Sequence, residues 1–242
     1  MDTKQLKLLT LKDAVAQIED GMTLGIGTGS TIELLIPEIA KLMEEGYQLR
    51  GVCTSERTAY QAKMLNIPIL DINDVKKIDL AIDGADEIDP NLNLIKGGGG
   101  ALFREKVIDA FAERFVVLAD ESKCVNYLGE TFKLPVEVDT FNWYQIGKQI
   151  EAAYPVKAYR RMVEDTPLIT DNGNYILDVE MSSAQDPYEF HEFLIHLTGV
   201  LETGYFLDLA DEAIIGTKKG VKILSKPKKG SLSTSVGEDK TC

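Results

Sequence analysis

Along the first half of the chain, short unbroken apolar runs alternate with longer stretches in which apolar residues recur every three or four positions. Runs of the first kind read as strands buried on both faces, and stretches of the second kind as helices packed along one side. The spacing predicts a helix over 11–20 with Gly21 at its C-cap, then a strand in MTLGIG (22–27). A second helix is expected from Ser30 or Thr31 to Glu45, ended by Gly46, with Pro37 kinking or breaking it. Next come a strand at 49–54, a helix at 56–65, a short strand at 67–70 and a buried strand at 78–82 that ends on Asp83. A helix at 101–112 and the strand FVVLAD (115–120) complete this half. Such alternation predicts a mostly parallel sheet with helices on both faces.

The pattern changes after Lys133. A strand in VEVDTF (136–141), a helix at 143–153 and a strand at 157–163 precede LITDNGNYILDVE (168–180), which reads as a hairpin turning at Asp171-Asn172-Gly173-Asn174. Pro187 opens a helix to Leu197, and VLETGYFLD (200–208) reads as one more strand. The order β-α-β-β-α-β is that of a ferredoxin-like unit. AIIGT (213–217) and VKIL (221–224) are expected to rejoin the first sheet. The expected fold is therefore α/β: a Rossmann-like, mostly parallel sheet domain from residues 1–132 and 205–226, with an inserted ferredoxin-like α+β domain at 133–204. Subunit contact is the expected use of the insertion. The Lys-, Ser- and Gly-rich tail at 227–242 reads as disordered.

The net charge of −13 leaves no basic face for nucleic acid. Cys53, Cys124 and Cys242 form no close-spaced pair, which points to a reducing cytoplasm, and no apolar run approaches membrane-spanning length. His191 and His196 stand five apart and provide neither a zinc pair nor a catalytic triad. A histidine-based or zinc-based hydrolase is therefore not expected, and proton transfer falls to Asp, Glu or Lys.

Those residue types crowd together once. In DGADEIDPNLNLIKGGGGALFRE (83–105), Asp83, Asp86, Glu87 and Asp89 are followed by Lys96, four glycines (97–100), Arg104 and Glu105. Carboxylates can move protons, a lysine can stabilise a developing negative charge, and glycines let backbone N–H groups approach an anion. The same residues could equally form solvated caps and a flexible connection. Their place at the end of a buried strand, where open α/β sheets bind ligands, favours a site. GIGTGST (25–31) likewise joins a strand to a helix start, where Thr28, Gly29, Ser30 and Thr31 could meet an anion. It lacks the Gly-Lys-Ser/Thr of a Walker loop and the third glycine of a dinucleotide fingerprint.

Taken in order, GIGTGST, DGADEID (83–89), KGGGGALFREK (96–106) and ADESK (119–123) resemble the signature segments of type A ribose-5-phosphate isomerases. The likeness runs from near the N-terminus to about Leu224. It implies a metal-free, cofactor-free aldose–ketose isomerase interconverting ribose 5-phosphate and ribulose 5-phosphate through an enediolate. By the same resemblance Glu105 is the base, Asp83 moves the hydroxyl proton and Lys96 stabilises the enediolate oxygen. Gly84, Ala85, Asp86 and Gly97 to Gly99 would line the pocket, with Lys123 on the substrate and Lys7 a weaker candidate. A homodimer, or a tetramer, is implied. Thr203 stands where this family often has histidine. Acyl transfer of the coenzyme A transferase kind, which would use a glutamate nucleophile, and a non-catalytic sugar-phosphate sensor are the alternatives; the intact DGADE and KGGGGA segments disfavour the first, and the presence of Glu105 disfavours the second.

Overall fold

A computed structural model describes residues 1–226, so the expectation for the 227–242 tail lies outside the described residues. Helix α1 (Thr3–Val15) begins eight residues earlier than the apolar spacing predicts, because a capping box nucleates it. Asp2 accepts from Gln5 N at 2.8 Å while the Gln5 side chain accepts from Asp2 N at 2.9 Å. Beyond Val15 the chain turns, with Gly21 at φ +85°, into β1 (Thr23–Ile26). Helix α2 (Ile32–Glu44) continues through Pro37. The proline costs it one backbone donor, but Ile32, Leu35, Ile36 and Ile39 are all buried and hold it on the sheet.

Then follow β2 (Arg50–Cys53), α3 (Glu56–Met64), β3 (Leu80–Gly84), β4 (Glu87–Ile88), β5 (Leu94–Ile95), α4 (Leu102–Phe111) and β6 (Phe115–Asp120). The expected strand at 67–70 shrinks to one bridge between Gly51 and Ile69. The second half contains β7 (Leu134–Val138), α5 (Trp143–Ala153), β8 (Val156–Arg160), β9 (Met162–Val163), β10 (Thr166–Pro167), β11 (Tyr175–Met181), α6 (Pro187–Ile195), β12 (Val200–Thr203), β13 (Tyr205–Phe206), β14 (Glu212–Thr217) and β15 (Gly220–Ser225).

The central sheet has the order β15-β14-β6-β3-β1-β2, with every pairing parallel except that of the edge strand β15. Alternate residues of its strands feed two cores. Leu24, Ile26, Leu80, Ile82, Val116 and Leu118 pack under α2, while Ala81, Val117, Ala119 and Ile215 face the other side with Phe206. The chain leaves this sheet after β6 and returns at β14. Between them β7, β8, β11 and β12 form an antiparallel sheet in the order β12-β7-β11-β8. Ile146 and Ile150 of α5 and Phe190 and Leu194 of α6 pack in one core with Val136, Val138, Leu177 and Val179.

Three local expectations change. The turn at 171–174 forms, with Gly173 at φ +83°, but its first arm is not a strand, since β7 and β8 occupy both edges of β11. The 170–174 arm is held instead by buried Glu137, whose Oε1 accepts from Thr170, Asn172 and Asn174 side chains at 2.8, 3.1 and 3.0 Å. The strand expected at 157–163 divides at Arg161, and β9 pairs with β10. The strand expected at 200–208 divides at Gly204, which threads between Pro135 and Lys96. Its N–H donates to Pro135 O at 2.7 Å, its carbonyl accepts from Lys96 N at 2.9 Å, and a Cβ there would lie 2.4 Å from Lys96 O. Beyond it β13 pairs with β5, and β5 with β4. Strands of two residues carry no readable alternation, so this small sheet leaves no trace in the pattern. Among the described residues no helix is long and apolar enough to cross a membrane.

Candidate active site

The strand order reverses between β1 and β3, where open α/β sheets leave a crevice beyond the strands' carboxyl ends. Asp83, one residue before the end of β3, points into it and is fully buried. Its Oδ1 accepts from Thr28 N at 3.0 Å and Gly84 N at 2.7 Å, and its Oδ2 pairs with Lys96 Nζ at 2.7 Å. That approach explains Gly27, since a Cβ there would lie 2.0 Å from Asp83 Oδ1. Lys96 leaves β5 with its ammonium inside the protein. It donates to Gly84 O at 2.6 Å, stands 3.6 Å from Glu105 Oε1 and lies 5.3 Å from the centre of the Phe206 ring.

Glu105 is on the first turn of α4, 4% exposed, and its Oε2 has no hydrogen-bond partner. One helical turn further, Asp109 is also buried with an unpartnered Oδ2. Three carboxyls and one ammonium thus share a space from which water is nearly excluded. Burial pushes Glu105 up to about 8, against the pull of Lys96 and reinforced by Asp83 and Asp86. Burial likewise raises Asp83, opposed by Lys96, and holds Asp109 well above the ordinary range, with Asp83 adding to it. For Lys96 burial works downward, but Asp83, Glu105 and Asp109 outweigh it and keep the ammonium charged.

A single cavity opens above this cluster. It is lined by Thr28 to Thr31, Gly84 to Asp86, Lys96 to Gly99, Glu105 and Lys123, so thirteen of the sequence-predicted positions face one space and Asp83 lies directly beneath it. Lys7 also reaches it, donating to Ser30 Oγ at 2.7 Å. Asp86 Oδ2 accepts from Gly98 N at 2.7 Å. The Thr28 hydroxyl is already engaged, at 2.7 Å from Thr54 Oγ1 and 2.8 Å from Ser55 Oγ. Thr31, the N-cap residue of α2, makes no capping bond with its side chain.

The sequence reading passed over four residues here. Leu118 and Ala119 line the cavity and carry no chemical signature. Asp120 ends β6 as Asp83 nearly ends β3, and that parallel was available in the sequence. Its Oδ1 accepts from Ser122 N at 3.0 Å and Ser122 Oγ at 2.5 Å, fixing the turn that carries Lys123. Asp109 could have been found as the residue four after Glu105 on a helix. Among the described residues no group of three or more His, Cys, Asp or Glu is arranged to hold a metal ion.

Comparison with known proteins agrees in every register. The family description for ribose 5-phosphate isomerase A (phosphoriboisomerase A) matches residues 50–220. A ribose-5-phosphate isomerase A of Staphylococcus epidermidis is 68% identical over 226 residues, spanning 93% of this chain and 98% of that one. The Staphylococcus aureus protein of the same name is 66% identical over 226 residues, spanning 93% and 99%. Among solved structures, a D-ribose-5-phosphate isomerase in complex with phospho-erythronic acid superposes with a TM-score of 0.90 at 41% identity, covering 93% of this chain and 100% of that one. The Methanocaldococcus jannaschii ribose 5-phosphate isomerase A does so with a TM-score of 0.87 at 40% identity, covering 92% and 99%.

Proposed function

The chain belongs to the ribose-5-phosphate isomerase A family and interconverts ribose 5-phosphate and ribulose 5-phosphate; from that premise we propose which residues carry the reaction. Glu105 is the base. Its ionised carboxylate takes the C2 proton of the open-chain aldose and returns it to C1 of the enediolate, so that no oxidant or reductant is needed. The observation that carries this assignment is the unpartnered, buried Glu105 Oε2 on the cavity wall, 3.6 Å across the other oxygen from the Lys96 ammonium. A buried carboxylate with no donor is held ready for a proton.

Lys96 stabilises the oxyanion as charge develops on it, without reorganisation, because Asp83 and Gly84 O already fix its ammonium. Asp83 also exchanges the hydroxyl proton between O1 and O2. Lys7, Ser30, Thr31 and Lys123, gathered near the N-terminus of α2, receive the phosphate. Phospho-erythronic acid, bound by the 41%-identical relative, has a phosphate at one end and a carboxylate at the other, the two anionic ends that these groups and Lys96 would meet. We further take residues 133–204 as an inserted unit serving contact between subunits of a homodimer or tetramer, and the cytoplasm as its place of work.

Proton NMR of the reaction in D₂O with EDTA tests the assignment. Wild-type protein is expected to form ketose with deuterium entering at the exchanging carbon. Glu105→Gln should bind the sugar phosphate and show neither. Deuterium incorporation at the wild-type rate in Glu105→Gln would remove Glu105 as the base.

A further inference from the structure

Four successive glycines form the most expensive kind of loop to order, and Gly97 and Gly100 take left-handed backbone at φ +104° and +82°. Inside the loop the fixing bonds are few: Gly100 N to Gly97 O at 3.0 Å, and Gly98 N to Asp86 Oδ2 at 2.7 Å. The strongest restraint comes from outside, across from the antiparallel sheet. Arg161 Nη1 donates to Gly97 O at 2.6 Å and to Gly98 O at 3.1 Å. We propose that Arg161 is a positioning residue for isomerisation, which clamps the glycine loop by two carbonyls so that the Gly98 N–H fixes Asp86 on the cavity wall and the Gly99 N–H aims into the substrate cavity.

The geometry follows from the planar trans peptide, in which C=O and the next N–H point in opposite directions. Holding Gly97 O toward Arg161 turns the Gly98 N–H the other way, and there it meets Asp86 on the cavity wall. Holding Gly98 O does the same for the Gly99 N–H. The clamp is itself rigid. Asp178 on β11 accepts from Arg161 Nε at 2.9 Å and Nη2 at 2.5 Å, a two-point grip that leaves Nη1 for the loop. The Arg161 backbone is tied on both sides, its N–H donating to Ile176 O at 2.8 Å and its carbonyl accepting from Leu168 N at 3.0 Å. Arg161 is therefore where the strand expected at 157–163 divides, and the division gives the side chain its direction. A lysine would preserve the charge but could not grip Asp178 at two points and two carbonyls at once.

This inference rests on the glycine loop contacting substrate. The experiment combines steady-state kinetics on ribose 5-phosphate with amide hydrogen exchange of residues 96–100, for wild type, Arg161→Ala, Arg161→Lys and Asp178→Asn. Arg161→Ala is expected to speed exchange at Gly98 and Gly99 and to raise KM about tenfold, the loss of one to two backbone hydrogen bonds, with kcat changed less. Added guanidinium should restore both, and Arg161→Lys should not. Asp178→Asn should move the same quantities in the same direction but less far, and it keeps the test intact if Arg161→Ala does not fold. A folded variant with unchanged KM and unchanged loop exchange overturns the clamp. If ribose 5-phosphate does not protect Gly98 and Gly99 in wild type, it is the loop's contact with substrate that fails instead.

Discussion

Glu87 and Glu105 are two glutamates with almost the same burial, 0% and 4% exposed, and opposite surroundings. Glu87 accepts from Gly129 N at 2.5 Å, Thr131 N at 2.6 Å, Thr131 Oγ1 at 2.8 Å and Phe132 N at 2.7 Å. It draws the 129–132 loop onto the β4 edge with three donors on Oε1 and one on Oε2. Glu105 has one oxygen facing Lys96 at 3.6 Å and the other facing nothing. A buried carboxylate whose donors all come from one loop away from the cavity holds that loop, since its charge is already stabilised in the resting state. One left short of donors is destabilising at rest, and it persists where the reaction uses it. The acidic cluster therefore divides by environment. Asp86 lines the cavity and Asp83 is buried beneath it, whereas Glu87 holds a loop and Asp89 closes its own turn by accepting from Asn91 N and Asn93 N, each at 2.8 Å.

The same substitution at both glutamates breaks the comparison if it is wrong. Glu105→Gln should lower kcat about a thousandfold, the scale of a lost general base. It should also leave the fold at least as stable above neutral pH. The sign follows from the raised pKa: the folded protein prefers Glu105 protonated, so that contribution is complete below the unfolded pKa and fades as pH rises through about 8. Glutamine has nothing to lose over that range. Glu87→Gln should do the reverse, costing about 2–3 kcal/mol by urea unfolding as an amide NH₂ is pressed against backbone donors, with kcat of the folded protein unchanged. A smaller effect sharpens the contrast away from the site. Asp186 caps α6 by accepting from Tyr188 N and Glu189 N, so Asp186→Ala should cost about 1 kcal/mol in unfolding and nothing in kcat.

What was legible in the sequence follows the same division. The parallel sheet showed itself because strands such as Phe115–Asp120 are buried on both faces along their whole length. The motif residues showed themselves because four segments stand in order at the ends of buried strands, where glycines and carboxylates in any one of them could equally have been caps and turns. Residue pattern alone did not separate Glu87 from Glu105, which only the family resemblance did, because the donors around Glu87 come from residues 129–132, more than forty positions away. Arg161 was hidden for a related reason. Its partners are carbonyls of Gly97 and Gly98 that any residue could present, and only the folded path brings them within reach. Gly204 looked like part of one strand until the crossing over Lys96 gave it a reason to be small.

The most direct test of Glu105 as the working base is its own titration. The carboxyl carbon of Glu105, assigned in ¹³C-labelled protein by its loss in Glu105→Gln, should titrate near 8, and kcat/KM should fall about tenfold per pH unit below that point. A Glu105 carboxyl that titrates in the ordinary glutamate range, or a kcat/KM that does not follow it, would contradict the assignment.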